Sequence, residues 1–194
     1  MLKDSGHKVG PLPQIDASAK YLDVAPTTSL QDLENMIRGR GDEVAGVFDR
    51  DGAPLFAPKI GRTHDVTFSP EEIALIEPGA TITHSHAKDV TLSLADLGAA
   101  KQLDLQEIRA VGPHRTFSAR RPRSGWPTDR KVKTAFETAY LAADLEVQRR
   151  KRMSSKPISA SKEEDFYDEA YNQAVVEELR KLGVRLKETD ANSD

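Results

Sequence analysis

Up to about residue 120, apolar residues come in short blocks separated by turn residues; after it, they recur at helical spacing. Residues 1–14, broken by Gly6, Gly10, Pro11 and Pro13, read as a loose leader, and 15–26 as the place of a short strand. Thr28 or Ser29 caps a helix running to about Arg40, with Gly41 ending it. Val44–Phe48 (VAGVF) is a strand, Asp49-Arg50-Asp51-Gly52 a turn and 54–57 the start of a returning strand. Another short extended piece falls at 66–68. Ser69-Pro70-Glu71-Glu72 starts a helix, with Ser69 as cap, proline in the first turn and Glu72 completing a capping box. That helix stops at Pro78-Gly79. Residues 80–84 (ATITH) then read as a central strand whose end delivers His84 and His86. Ser93 caps the next helix, with Asp96 in its first turn, as far as about Leu103. Glu107–Val111 and 116–119 are two closing strands around the turn Gly112-Pro113-His114-Arg115.

Past Arg120 the pattern changes. Residues 120–127 (RRPRSGWP) form a linker, and helices are expected near 129–151 and 161–182, separated at Lys156-Pro157. Val132, Phe136, Ala139 and Ala143 share one helical face, as do Tyr167, Tyr171, Val175, Leu179 and Leu182. The aromatics at 136, 140, 166, 167 and 171 are read as packing between these helices. From about Lys187 the chain is expected to be disordered. There is no internal repeat. Three parts follow: a leader with a strand and helix (1–40), a central domain (41–122), and a basic linker with a helical extension (123–194).

Composition narrows the chemistry. The 194 residues are 38% hydrophobic and 30% charged, which suits one modest core with solvated helices. A net charge of -3 gives no general attraction to nucleic acid. The absence of cysteine excludes disulfides, thiolate nucleophiles, iron–sulfur clusters, Cys-type zinc sites and the two-cysteine zinc-deaminase pattern. Any metal must be held by nitrogen and oxygen. The first residues carry no apolar signal-peptide core, and no stretch is long enough to span a bilayer; the expectation is a cytoplasmic protein, with signal-independent export left open.

The chemistry-bearing pattern is Glu43, then His84-Ser85-His86, then Ser93-x-x-Asp96. Catalytic zinc takes three protein ligands and keeps one position for water. Two histidines one residue apart at a strand end can reach one ion, and an aspartate in the first turn of the next helix can complete the set. A carboxylate off the metal can take and return a proton, for which Glu43 is the candidate. A nearby hydroxyl can donate to an oxyanion, for which Ser93 is placed. On the plainer reading Ser93 is only a helix cap, Asp96 only a first-turn acid and the histidines only loop residues.

This pattern resembles the JAMM (MPN/JAB) metalloprotease motif. DEVAGVFDRDGAPLF, ITHSH and TLSLADLGAAKQLDLQEIRAVG look like the bacterial and phage RadC-like branch of that superfamily, over roughly residues 40–122. The resemblance implies a JAB/MPN-like (cytidine-deaminase-like) α/β fold, a mixed sheet flanked by helices. It makes His84, His86 and Asp96 zinc ligands, Glu43 the general acid/base and Ser93 the oxyanion donor. The implied activity is Zn2+-dependent cleavage of an amide or isopeptide bond in a protein or peptide, including a ubiquitin-like one, in a phage-derived or toxin-like module. Two departures stand out: Ala87 replaces the usual proline, and the His86-to-Ser93 spacing is one residue shorter than in the eukaryotic enzymes. Alternatives from other classes are a metal-free scaffold on this fold and a RadC-like nucleic-acid-associated protein using the basic stretch 115–152, with RRxR at 120–123, RRKR at 149–152 and Trp126 as an anchor.

Other residues weigh less. His64 either lines the cleft or sits in a loop; His7 and His114 carry no assigned role. Asp42 is the rival base, although alternation along a strand lets only one of Asp42 and Glu43 face the metal.

Overall fold

The computed structural model describes residues 11–62 and 65–191; His7 and His64 lie outside them. Its elements are β1 (Lys20–Tyr21), α1 (Leu30–Ile37), β2 (Val44–Phe48), β3 (Lys59–Ile60), α2 (Pro70–Leu75), β4 (Thr81–Ser85), α3 (Leu94–Gln102), β5 (Glu107–Val111), β6 (Arg115–Arg120), α4 (Asp129–Met153), α5 (Ala160–Lys181) and β7 (Arg185–Asp190). The strands make one seven-stranded mixed sheet in the order β1-β3-β2-β4-β5-β6-β7. Among the described residues only β4 and β5 run parallel, with His84 opposite Ala110. A parallel step needs a crossover, and α3 supplies it.

Alternation along the strands divides the core between two faces. Val44 and Phe48 of β2 pack with Leu33 and Ile37 of α1. On the other face Val47, Ile82, Ile108 and Ala110 pack with Leu97 of α3, Val132, Phe136 and Ala139 of α4, and Val175 and Leu179 of α5. The helical pair after residue 128 therefore closes the same core as the sheet. Gly46 permits the close approach of α1, since a Cβ there would lie 2.2 Å from Leu33 Cδ2.

Buried charge is paired throughout, as burial requires. Glu34, 1% exposed, accepts from Thr83 Oγ1 at 2.9 Å and from Arg109 Nε and Nη2 at 2.5 and 3.0 Å. Arg109 and Arg120 each also donate to Glu107 at 2.7 Å. Ser69 and Glu72 form the expected capping box on α2; the buried Glu72 also accepts from Lys59 at 2.6 Å and Tyr21 at 2.7 Å, tying α2 to the β1–β3 edge.

Three expectations need correction. The return after the 49–52 turn is a single bridge, Phe48 to Pro54, and the pairing strand starts only at Lys59. Pro54 and Pro58 have no N–H for a ladder, which displaces the strand beyond them. Residues 66–68 form no strand. The chain beyond 187 is ordered as far as 191: β7 pairs antiparallel with β6 from Arg120–Arg185 to Arg115–Asp190. Its charged, weakly apolar sequence hides it, and such a sequence suits a sheet edge. Among the described residues, no helix is long and apolar enough to cross a membrane.

Candidate metal centre

The centre lies at the C-terminal end of β4, which runs between its antiparallel neighbour β2 and its parallel neighbour β5. His84 is the fourth residue of β4 and is buried. His86 lies just past the strand, its backbone N–H donating to Val111 O at 2.8 Å. Its Nδ1 lies 3.1 Å from Val90 O, so this nitrogen carries the proton and Nε2 is left as a lone-pair donor facing His84. The two Nε2 atoms are 2.9 Å apart. Asp96 places Oδ1 3.2 Å from His84 Nε2 and Oδ2 4.0 Å from His86 Nε2. One ligand atom from each of His84, His86 and Asp96 lies within 4.8 Å of the others.

Asp96 is fixed by local structure. Ser93 caps α3: its Oγ accepts the Asp96 N–H at 3.1 Å, and Asp96 Oδ2 accepts the Ser93 N–H at 2.6 Å. This reciprocal box bears out the capping role read from the sequence. It also leaves the Ser93 hydroxyl proton available for donation. Ser93 and Glu43 line the same cleft as His86 and Asp96, a space of about 490 Å³ with apolar walls that include Val66, Val90, Ala95 and Ala99.

The electrostatics move the two imidazoles in opposite directions. Burial pushes the His84 imidazole down, but Asp96 and then Glu43 outweigh it and hold its pKa above the ordinary value. His86 is shifted the other way, by burial and by the neighbouring His84. Burial disfavours the Asp96 carboxylate, yet His84, the Ser93 N–H and His86 together keep it well below the usual carboxylate range. Two imidazole nitrogens and one carboxylate this close together could hold a metal ion.

Other candidates separate cleanly. Asp42 is held by Arg40 through two contacts of 2.8 and 2.9 Å, and Glu43 is the member of the pair that lines the cleft. His114 is exposed and engages Asp89 at 2.8 Å. The indole N–H of Trp126 donates to Leu105 O at 2.8 Å, and the side chain packs on the core. Arg149 and Arg150 pair with Glu146, and Lys151 with Glu163.

One participant is absent from the sequence reading. Ser85, between the histidines, lines the same cleft and reaches the backbone leading into β2. Its Oγ accepts the Val44 N–H at 2.9 Å and donates to Asp42 O at 3.2 Å, clasping the backbone on both sides of Glu43. No local signal marks it, because both bonds are made to backbone more than forty residues earlier in the chain.

Comparison of the chain with protein-family models, curated proteins and solved structures finds no match.

Proposed function

We propose that the protein is a metal-dependent hydrolase of the JAMM type, cleaving an amide or isopeptide bond. The observation that carries this reading is the convergence of His84, His86 and Asp96 in a cleft that Glu43 and Ser93 also line. His84 Nε2, His86 Nε2 and the Asp96 carboxylate would hold Zn2+, which supplies Lewis acidity and makes water acidic enough to react near neutral pH. Glu43 takes the proton of the attacking water and returns it to the leaving nitrogen. The Ser93 hydroxyl donates to the carbonyl oxygen as negative charge develops there. Water adds to the carbonyl carbon, the C–N bond breaks, and the products are a carboxylate and an amine. The apolar walls of the cleft exclude water from a bound chain and strengthen these contacts.

The test is turnover of a panel of peptide and isopeptide-linked substrates, ubiquitin-like ones included, by zinc-loaded protein. Cleavage by the wild type, lost in Glu43→Gln, supports the reading; equal cleavage by both removes Glu43 from the mechanism.

A second reading draws on the capping box. Ser93 and Asp96 satisfy each other as a helix cap, so the same residues also suit a metal-free interaction domain. That reading predicts no zinc uptake. The ion pairs of Arg120 with Glu107, Arg121 with Asp104 and Arg150 with Glu169 offset much of the basic run and lend little support to a nucleic-acid surface.

A further inference from the structure

The six residues 87–92 join one candidate ligand, His86, to the helix that carries another, Asp96. The path of this loop decides where the Val90 carbonyl lies, and that carbonyl orients the His86 ring. Nothing in the loop sequence fixes the path: it contains neither glycine nor proline. It is held instead from two sides.

On one side stands the turn between β5 and β6. Asp89 Oδ1 accepts the N–H groups of His114 and Arg115 at 2.8 and 3.0 Å. Gly112 lies so close beneath that a Cβ would fall 2.4 Å from Asp89 Oδ1 and 2.9 Å from Lys88 O. On the other side stands α5. Asn172 Nδ2 donates to Asp89 O at 2.7 Å, and Asn172 Oδ1 accepts the Thr91 N–H at 2.8 Å. Those two groups belong to the peptide units immediately before and after Val90. One carboxamide therefore fixes both planes flanking the carbonyl-bearing residue. Asn172 is 7% exposed, in the middle of a helix, where asparagine is a poor choice for the helix itself. Glu164 and Asp168, eight and four residues earlier on the same helical face, both reach Lys88 of the loop.

We propose that Asn172 is a positioning residue for the metal centre: through the Asp89 and Thr91 peptide groups it sets Val90, and through Val90 the His86 ring. The C-terminal helix, outside the motif-bearing region, thereby becomes part of the site. This rests on the metal reading above. The Val90 carbonyl is the group bonded to the ligand, and groups in that place typically matter ten- to a hundredfold in metal affinity; Asn172 acts behind it and falls toward the lower end.

The test is titration of the full-length protein with zinc, and with cobalt(II) for its visible spectrum, in wild type, Asn172→Ala and Val175→Ala. Val175 is a core residue of the same helix and controls for general loosening. The expected result is that Asn172→Ala loses roughly tenfold in zinc affinity, the lower end of that range, and alters the cobalt bands. Val175→Ala, at equal or greater loss of thermal stability, keeps both within about twofold. Should Asn172→Ala fail to fold, Asn172→Asp keeps the size and the Thr91 contact but replaces the donor to Asp89 O, and the same loss is expected in weaker form. Wild-type affinity and spectrum in the folded variant would overturn the role of Asn172 while leaving the metal site standing. A wild type that takes up neither ion would overturn the metal reading and this inference together.

Discussion

The hydroxyl of Ser85 lies 2.9 Å from the backbone nitrogen of Val44, and this bond joins the strand that carries His84 and leads into His86 to the strand that Glu43 precedes. With its second bond, to Asp42 O, the same hydroxyl spans the residue proposed as proton carrier. Ser85→Ala would leave a buried N–H without its acceptor, at a cost of about 1–3 kcal/mol. We expect zinc uptake to persist and turnover to fall roughly tenfold or more, because Glu43 would be misplaced while the ligands are not. Denaturant unfolding and kinetics on one preparation check both halves. Loss of zinc in this variant would instead make Ser85 a support of the histidines.

Glu43→Gln keeps the shape of the side chain and removes its basicity. The expected outcome is unchanged zinc content with turnover lowered by about 10²–10⁴-fold. A variant that retains even a third of wild-type turnover would mean that another group moves the proton.

Thr91 Oγ1 is buried and finds no hydrogen-bond partner among the described residues. Replacing it with the nearly isosteric valine removes a desolvated hydroxyl, so Thr91→Val should be neutral or stabilising by up to about 1 kcal/mol. Thermal unfolding decides this. A loss greater than about 1 kcal/mol would show that the hydroxyl does have a partner in solution.

Glu107 sits between Arg109 and Arg120. Burial raises its pKa, but the guanidinium of Arg109 and then that of Arg120 bring it below the ordinary value. A group whose folded pKa is depressed contributes stability that is present above its unfolded pKa, near ~4.3. That contribution disappears as pH falls through the folded value. Urea unfolding should therefore show stability falling between about pH 5 and pH 3. Glu107→Gln should be less stable at pH 7 and should flatten this acid limb. An acid limb of unchanged slope in the variant would place its origin elsewhere, for instance at Asp89.

The legible parts of the site are those written in adjacent sequence. His84, His86, Ser93 and Asp96 fall within thirteen positions, and capping chemistry fixes how the last two relate. Glu43 is distant, but it heads an apolar run that can only be an inner strand. What escaped depends on contacts between elements. Ser85 acts on the neighbouring strand, and Asn172 lies more than eighty positions from the loop it holds, in a helix whose composition announces only solvent and packing. The strand at 185–190 escaped for a related reason: its order comes from pairing with β6, and no local hydrophobic pattern records it. The return strand near 54 was misplaced because two prolines outweigh the turn signal before them.

The most direct test of the account is metal content by elemental analysis of native protein, beside His86→Ala and Glu43→Gln. The expected result is close to one zinc per chain in the wild type, loss of it in His86→Ala and retention in Glu43→Gln. A wild type that holds no metal after exposure to zinc would contradict it and leave the cluster of His84, His86 and Asp96 as a helix cap beside two buried histidines.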